Sequence, residues 1–136
     1  MRLTLLSLVL SAGLALPAHA DETPNPDIQA IIRNQLSAFD AGDMDRAFTY
    51  ASPTIHGIFG SAQNFGAMVQ RGYPMVWKPG AIKMLELRDV SGALWQRVLV
   101  TDAAGASHLL DYKMIETPEG WQIDAVQLLP QAGVGA

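Results

Sequence analysis

His56, in the stretch TIHGIF, is the side chain of this sequence best suited by type to acid–base chemistry. A histidine titrates near neutral pH, so His56 could act as a general base on a bound substrate. The alternative is a structural histidine whose ring is hydrogen-bonded to a nearby carbonyl group. The sequence leaves both interpretations open, and no residue is committed to a catalytic role.

Aromatic side chains with polar tips form a second group that could carry function, because small-molecule sites combine apolar walls with a few polar groups. A tyrosine hydroxyl in such a site, from Tyr73 or Tyr112, could donate a hydrogen bond to a developing oxyanion. The alternative is ordinary core packing. The ligand-pocket candidates are Tyr50, His56, Tyr73, Trp77, Tyr112 and Trp121.

Other chemistries find less support. Asp111 and Asp124 fall on neighbouring predicted strands, where paired carboxylates would suit acid–base work. We expect instead a solvated charge ladder with Arg97 and Lys113. The chain has no Cys and no His-x-x-x-His pair, so we expect no metal site and no cofactor. A phosphate loop and a Gly-x-Ser-x-Gly elbow are also missing from the sequence.

The first 20 residues have the pattern of a secretory signal peptide. Arg2 precedes an apolar run from Leu3 to Leu16, and Ala18-His19-Ala20 forms an A-x-A cleavage site. The apolar run is shorter than a spanning helix requires, so we expect cleavage after residue 20. The protein is then exported, periplasmic or secreted, with no membrane attachment. No basic cluster follows, which argues against binding to nucleic acid or to anionic membranes.

Three helices are predicted in the first half of the remaining chain. Asn25 and Pro26 mark the start of the first, which Gly42 ends. Asp43 caps the second, which Ser52-Pro53 stops, and Ser61 caps a third that ends before Pro74. Residues 73–79 are irregular and rich in apolar groups, so they should lie across the core, either as a mobile lid or as a fixed segment.

Four strand-like segments follow, joined by turns too short to hold a helix. Such strands form an antiparallel meander, and helices then cover one of its faces. We expect an α+β domain over residues 28–129, with a flexible lead at 21–27 and a tail at 130–136. The segments are AIKMLELRDV, ALWQRVLVTD, SHLLDYKMIET and GWQIDAVQLL.

Alternation along these strands assigns their faces, although a one-residue slip inverts the assignment. The residues expected on the helix-covered face are Leu85, Leu87, Val98, Val100, Leu110, Tyr112, Met114, Trp121, Ile123 and Ala125. The opposite face retains Trp95, Leu99, Leu109, Val126 and Leu128 among its charges. Those apolar groups indicate either burial at strand ends and under the C-terminal tail or a homodimer through this face.

The chain resembles the nuclear transport factor 2-like superfamily, which includes ketosteroid isomerase-like and polyketide cyclase-like proteins. It does so through the helical pair around FDAGDMDRAF, the third helix and the meander. More closely, it resembles a bacterial family named domain of unknown function 4864. That resemblance spans 28–129 and rests on Ala51-Ser52-Pro53, Phe59-Gly60-Ser61, Met68-Val69, Arg71-Gly72-Tyr73-Pro74, Pro79 and Gly120-Trp121-Gln122-Ile123. It implies a curved sheet wrapped on helices into a cone with an apolar interior, and it implies no reaction.

Three functions are compatible with these observations. The first is a non-catalytic exported module that binds a small apolar molecule or a partner protein. The second is an isomerase, dehydratase or cyclase with His56 as general base. The third is a structural partner in an envelope assembly. A cavity that reaches His56, Tyr73 and Tyr112 would favour the enzyme.

Overall fold

The computed structural model describes residues 21–130, so the expected signal peptide and most of the expected tail lie outside it. A short strand and five helices precede four long strands. In chain order they are β1 (Asp21–Glu22), α1 (Pro26–Asp40), α2 (Met44–Thr49), α3 (Pro53–Phe59), α4 (Ala62–Gly72), α5 (Pro74–Trp77), β2 (Pro79–Val90), β3 (Ala93–Asp102), β4 (Ser107–Thr117) and β5 (Gly120–Leu129). The α+β class is confirmed, but the counts of three helices and four strands were wrong.

The predicted helix caps are present where the sequence placed them. The side chain of Asn25 accepts the backbone N–H groups of residues 27 and 28 at the start of α1. Asp43 accepts the N–H of Arg46, and Ser61 accepts the N–H of Asn64, each at 3.1 Å. Gly42 follows α1 with a φ of 71°, a conformation that glycine adopts without strain.

The two additional helices, α3 and α5, begin at Pro53 and Pro74. Both prolines were expected to mark the end of the preceding helix. The Ser52 hydroxyl caps α3 by accepting the N–H of Ile55 at 3.3 Å, and Pro53 occupies the first helical position. Serine before proline therefore starts α3 as well as stopping α2. Pro74 opens the one-turn helix α5, and Met75 and Val76 within it are buried. Residues 73–79 thus contribute to the core, as expected, but Pro74–Trp77 are helical rather than irregular.

The expected lead at 21–27 contains ordered structure. Asp21 and Glu22 form β1, which pairs antiparallel with Arg88 and Leu87 of β2. The first two residues of α1 also fall in this stretch. The sheet therefore has five strands in the order β1-β2-β3-β4-β5, with every neighbouring pair antiparallel. The predicted meander is confirmed, with one short strand added at its edge.

The inner face of the sheet, defined by Val98, Val100, Leu110 and Tyr112, packs against the helices. These four residues are fully buried and share one hydrophobic cluster with Ile28, Ile32, Leu36 and Phe39 of α1. Residues paired across antiparallel strands lie on the same face, so the pairs Val98–Leu110 and Gln96–Tyr112 extend this face over β3 and β4. No helix among residues 21–130 is long and apolar enough to cross a membrane.

Two β-bulges change the faces that strict alternation predicted. In β2 the pairing moves from Met84–Val98 to Leu87–Gln96, so Met84 rather than Leu85 packs against the core. In β5 it moves from Ile123–Met114 to Ala125–Lys113. An extra residue in one strand shifts the side-chain alternation by one. The shift moves Val126 and Leu128 from the outer face, where alternation had placed them, to the inner face. There Val126 pairs with Tyr112 and Leu128 with Leu110.

The opposite, outer face carries a buried carboxylate rather than a solvated ladder. Asp111 is only 4 % exposed, and its carboxylate contacts Arg88 at 2.5 and 3.1 Å and Arg97 at 3.5 Å. Arg97 also contacts Glu86 at 3.1 Å. The hydrogen bond with Asp111 raises the pKa of the Arg88 guanidinium, which remains charged. The expected contacts of Arg97 with Asp111 and of Lys113 with Asp124 are present. The expected exposure to solvent was wrong for Asp111, because Arg88 and Arg97 cover its carboxylate.

Candidate functional site

A cavity of about 370 Å³ lies between the helices and the inner face of the sheet. Four helices and two strands surround it, and its walls are mostly apolar. α3 supplies Ile55, Ile58 and Phe59, and α4 supplies Phe65, Met68 and Val69. The size and composition are those of sites that hold small organic molecules.

Among the residues that line this cavity, the most exposed side chain belongs to α3. Ile58 lines the cavity and is 66 % exposed, although it is a large apolar side chain. No residue of α3 is buried, in contrast to α1, α2, α4 and α5. α3 therefore forms the least enclosed part of the wall, where a molecule from solvent would first meet the cavity.

Tyr112 forms part of the sheet wall and is the most enclosed polar residue of the cavity. Its side chain is 0 % exposed, and its hydroxyl has no hydrogen-bond partner among residues 21–130. Burial raises the pKa of this hydroxyl above its usual range, and Tyr73 adds to the increase. The Tyr112 hydroxyl is therefore a neutral group at physiological pH, with its proton available for a hydrogen bond.

Tyr73 lies at the same wall but has a satisfied hydroxyl. It donates to the carbonyl oxygen of Val126 at 3.2 Å, and Val126 is the residue paired with Tyr112 across β4 and β5. Tyr73 follows the last residue of α4, so this bond ties the end of the helix to the sheet. The Tyr73 hydroxyl proton is thus already used in a hydrogen bond, whereas that of Tyr112 is not.

Asp124 is the only charged residue among the described residues that line the cavity. It is the extra residue of the β5 bulge, and its Oδ1 accepts a hydrogen bond from the Ser52 hydroxyl at 2.7 Å. Its Oδ2 lies 3.8 Å from the Lys113 ammonium group. One carboxylate oxygen therefore accepts a hydrogen bond, whereas the other lies near a cation at a distance too long for a hydrogen bond.

The backbone reinforces the contact between the α2–α3 junction and β5. The N–H of Ser52 donates to the Ile123 carbonyl at 2.8 Å, and the N–H of Ile123 donates to the Tyr50 carbonyl at 2.9 Å. These bonds form a short parallel bridge between Ala51 and Ile123. Polar groups at this corner of the cavity are thus fixed in position by main-chain contacts.

His56 lies outside the cavity lining. Its Nε2 is 2.7 Å from the Phe48 carbonyl oxygen, and its ring stacks on the Phe48 ring with centroids 3.7 Å apart. The residue is exposed on α3. This arrangement corresponds to the structural alternative considered for His56, a ring bonded to a nearby carbonyl.

Of the six pocket candidates, the structure brings only Tyr73 and Tyr112 to the cavity. The Tyr50 hydroxyl accepts a hydrogen bond from Arg46, and Trp77 packs against the Phe39 ring. Trp121 lines a separate hollow with Leu94 and Met114. The aromatic candidates thus divide between the cavity, the core and the surface.

Two lining residues were missed because their positions depend on the β5 bulge. Asp124 and Val126 were assigned to the other face by strict alternation. The local signal for the extra residue is the change of parity of the apolar residues in GWQIDAVQLL, from Ile123 to Val126. The lining phenylalanines Phe39, Phe59 and Phe65 were visible as apolar residues of predicted helices or their flanks. Their convergence depends on how α1, α3 and α4 pack together.

No group of three or more His, Asp or Glu side chains within residues 21–130 is arranged to hold a metal ion. His108 instead bonds Asp102 at 2.8 Å beside the β3–β4 turn, and the two belong to no larger cluster.

A comparison with known protein families finds a match, whereas a search of curated proteins finds none. The matching family is described as a domain of unknown function, DUF4864, and the match covers residues 21–136. It includes every helix and strand described above and all residues of the cavity wall. The chain belongs to the DUF4864 family.

Proposed function

We propose that this domain is a binding module that holds a small, mostly apolar molecule in the cavity between its helices and its sheet. The observation that carries the proposal is the cavity itself, about 370 Å³ with apolar walls and the exposed Ile58 in its lining. Close packing normally leaves few voids of this size in a protein interior. A ligand that fills it would gain the apolar contacts that the walls lack.

The groups at the cavity favour binding over catalysis. His56, the candidate base, lies outside the lining. Of the Asp124 carboxylate, one oxygen accepts a hydrogen bond from Ser52 and the other lies 3.8 Å from the Lys113 ammonium group. The raised pKa of Tyr112 keeps its hydroxyl protonated, so it would not act as a base at neutral pH. An isomerase, dehydratase or cyclase would need a group at the cavity that can take up a proton.

The proposal is tested with N-phenyl-1-naphthylamine, a neutral dye that fluoresces in apolar surroundings. We expect saturable binding of one dye per domain. Met68→Trp places a larger side chain in the cavity wall and should abolish this binding while the far-ultraviolet circular dichroism stays unchanged. Leu128→Trp introduces the same side chain at a residue that is 45 % exposed and does not line the cavity, so it should bind normally.

Two results would overturn the proposal. One is the absence of saturable dye binding to the folded wild-type protein. The other is equal binding by the wild-type protein and a folded Met68→Trp variant, since the dye would then sit elsewhere.

We also propose that the fold belongs with the nuclear transport factor 2-like cone. Supporting this, the helices precede the meander, pack on one face of it and leave a cavity against β4 and β5. A crystal structure in which the sheet curves around the cavity would support the relation, whereas a flat sheet would contradict it.

Export is proposed from the signal-like pattern of residues 1–20. Expression of the full chain in a bacterial host, followed by cell fractionation and N-terminal sequencing, tests it. A protein in the periplasm or medium that starts at Asp21 is expected, and an uncleaved cytoplasmic protein would contradict the proposal.

A homodimer through the outer face of the sheet is proposed as well. Trp95 and Leu99 lie on this face, on either side of Arg97, which pairs with Asp111 across β3 and β4. Apolar residues on a sheet face that no helix covers favour a protein–protein interface. Sedimentation equilibrium should give twice the chain mass for the wild type and a monomer for Trp95→Lys. A wild-type monomer at high micromolar concentration would contradict the proposal.

A further inference from the structure

We infer that the ligand is an uncharged molecule whose apolar body carries an oxygen acceptor, and that this acceptor takes the hydrogen bond of the Tyr112 hydroxyl. The inference rests on the proposed function and specifies the class of ligand. Ketones, esters, lactones and alcohols fit this description, whereas hydrocarbons and carboxylates do not.

The first step of the argument concerns the proton of Tyr112. A buried hydroxyl without a partner costs free energy, and such groups in native proteins are few. Tyr112 is fully buried at the cavity wall, and its hydroxyl has no partner among residues 21–130. The nearest comparable group, the Tyr73 hydroxyl, gives its proton to the Val126 carbonyl. Because the side chain is 0 % exposed, a ligand oxygen reaches this hydroxyl only after a small displacement of the cavity wall. The bond would then satisfy a donor that the protein leaves unsatisfied.

The second step concerns charge. No Lys, Arg or His is among the described residues that line the cavity, and the one charged lining residue is the carboxylate of Asp124. An anionic ligand would lose its hydration without gaining a cation, and it would meet a like charge at the wall. A cationic ligand would have to compete with Ser52 and Lys113 for Asp124. An uncharged ligand meets neither difficulty.

Three probes of nearly the same shape separate these requirements. 2-Acetylnaphthalene carries a carbonyl acceptor, 2-isopropenylnaphthalene replaces that oxygen with a methylene group, and 2-naphthoate replaces the methyl group with a charged oxygen. Their dissociation constants are measured by isothermal titration calorimetry at pH 7. We expect the ketone to bind about tenfold more tightly than the alkene, the factor that one net hydrogen bond provides. The carboxylate should bind much more weakly than either.

Two variants assign the preference to one hydroxyl. Tyr112→Phe keeps the ring and should bring the ketone and the alkene to equal affinity. Tyr73→Phe is the matched control, since it removes a neighbouring hydroxyl that is already bonded to Val126. It should keep the ketone preference. A trimethylammonium analogue of the same naphthalene should bind no better than the alkene.

Each other outcome is decisive. Equal affinities of the ketone and the alkene for the wild-type protein would overturn the acceptor requirement and leave cavity binding standing. A ketone preference that survives in Tyr112→Phe would overturn the assignment to Tyr112. Tight binding of 2-naphthoate or of the ammonium analogue would overturn the requirement for an uncharged ligand. If no probe binds, including N-phenyl-1-naphthylamine, the proposed function itself fails.

Discussion

The hydroxyl of Ser52 donates a hydrogen bond to Asp124 across 2.7 Å, joining the first turn of α3 to the bulge of β5. The same oxygen accepts the backbone N–H of Ile55, so one fully buried side chain caps the helix and fixes the strand. The two residues lie 72 positions apart in the sequence. The least buried helix of the cavity wall is thus held at its start by a contact with the sheet.

Ser52→Ala should therefore cost more than the loss of an ordinary cap. We expect the free energy of unfolding to fall by about 2 kcal/mol, since both a cap and a bond to a carboxylate disappear. Ser61→Ala is the matched control, because the Ser61 hydroxyl caps α4 and has no partner elsewhere in residues 21–130. Its loss should cost about 1 kcal/mol. Urea unfolding measures both, and equal losses would show that the bond to Asp124 contributes little.

Tyr112→Phe should stabilise the ligand-free protein. The substitution removes a hydroxyl that is buried without a protein partner and keeps the ring that fills the core. We expect the free energy of unfolding to rise by about 1 kcal/mol. Tyr73→Phe should lower it by about 1 kcal/mol, because the Val126 carbonyl loses its donor. Thermal unfolding in calorimetry measures both, and a destabilised Tyr112→Phe variant would contradict this account of the hydroxyl.

Asp111→Ala should be the most damaging of the charge substitutions on the outer face. It leaves the guanidinium groups of Arg88 and Arg97 close together without the carboxylate between them. We expect a loss of about 3 kcal/mol, the low end for breaking a buried pair, because Arg97 keeps some contact with solvent. Lys113→Ala breaks a longer, more exposed pair with Asp124 and should cost less than about 1 kcal/mol. Guanidinium chloride unfolding distinguishes them, and equal costs would contradict this ranking.

The turn between β3 and β4 should weaken in acid. The hydrogen bond from His108, with further bonds from the N–H groups of Ala106 and Ala104, lowers the pKa of Asp102 below its ordinary value. A lowered pKa in the folded state means that the ionised carboxylate stabilises the fold. This contribution is fully present above about pH 4 and is lost as the pH falls through the lowered pKa.

Asp102→Asn provides the measurement for this turn. The difference in the free energy of unfolding between the wild type and the variant should shrink as the pH falls below about pH 4. Asp89→Asn is a comparison at the β2–β3 turn, where the carboxylate accepts the N–H of Gly92 and has no histidine partner within residues 21–130. A difference for Asp102→Asn that stays unchanged at pH 3 would contradict the role of the charge.

Local signals in the sequence were sufficient for most of the secondary structure. Asn25, Asp43 and Ser61 each carry an oxygen one position before a helix, and their capping roles depend only on neighbouring residues. The strand-like segments are joined by turns too short to hold a helix, which leaves an antiparallel meander as their natural arrangement. The class of fold could therefore be predicted from patterns within about ten residues.

The site depends on interactions that such patterns do not contain. Neither of these two bulges contains a glycine, but in each strand the apolar positions change parity at the bulge, as in the adjacent Met84 and Leu85 of β2. Strict alternation ignores such a change, so Leu85 was placed on the wrong face and Val126 on the wrong side of β5. Gln96 illustrates the difficulty. It is fully buried on the inner face, where its amide donates to the carbonyls of Leu85 and Arg97 beside the first bulge. A polar residue at a core position is explained only once the bulge is known.

The bulge in β5 also bears on how this cavity could change between relatives. In terms of pairing, Asp124 is an insertion, since Ile123 and Ala125 already face consecutive residues of β4. A chain that lacked this one residue could keep every other cross-strand partner, with Val126 still opposite Tyr112. The presence of the Asp124 carboxylate at the cavity is therefore independent of how the other β5 residues pair with β4. A single-codon deletion of Asp124 would remove the charge from the cavity wall and leave the remaining strand register intact.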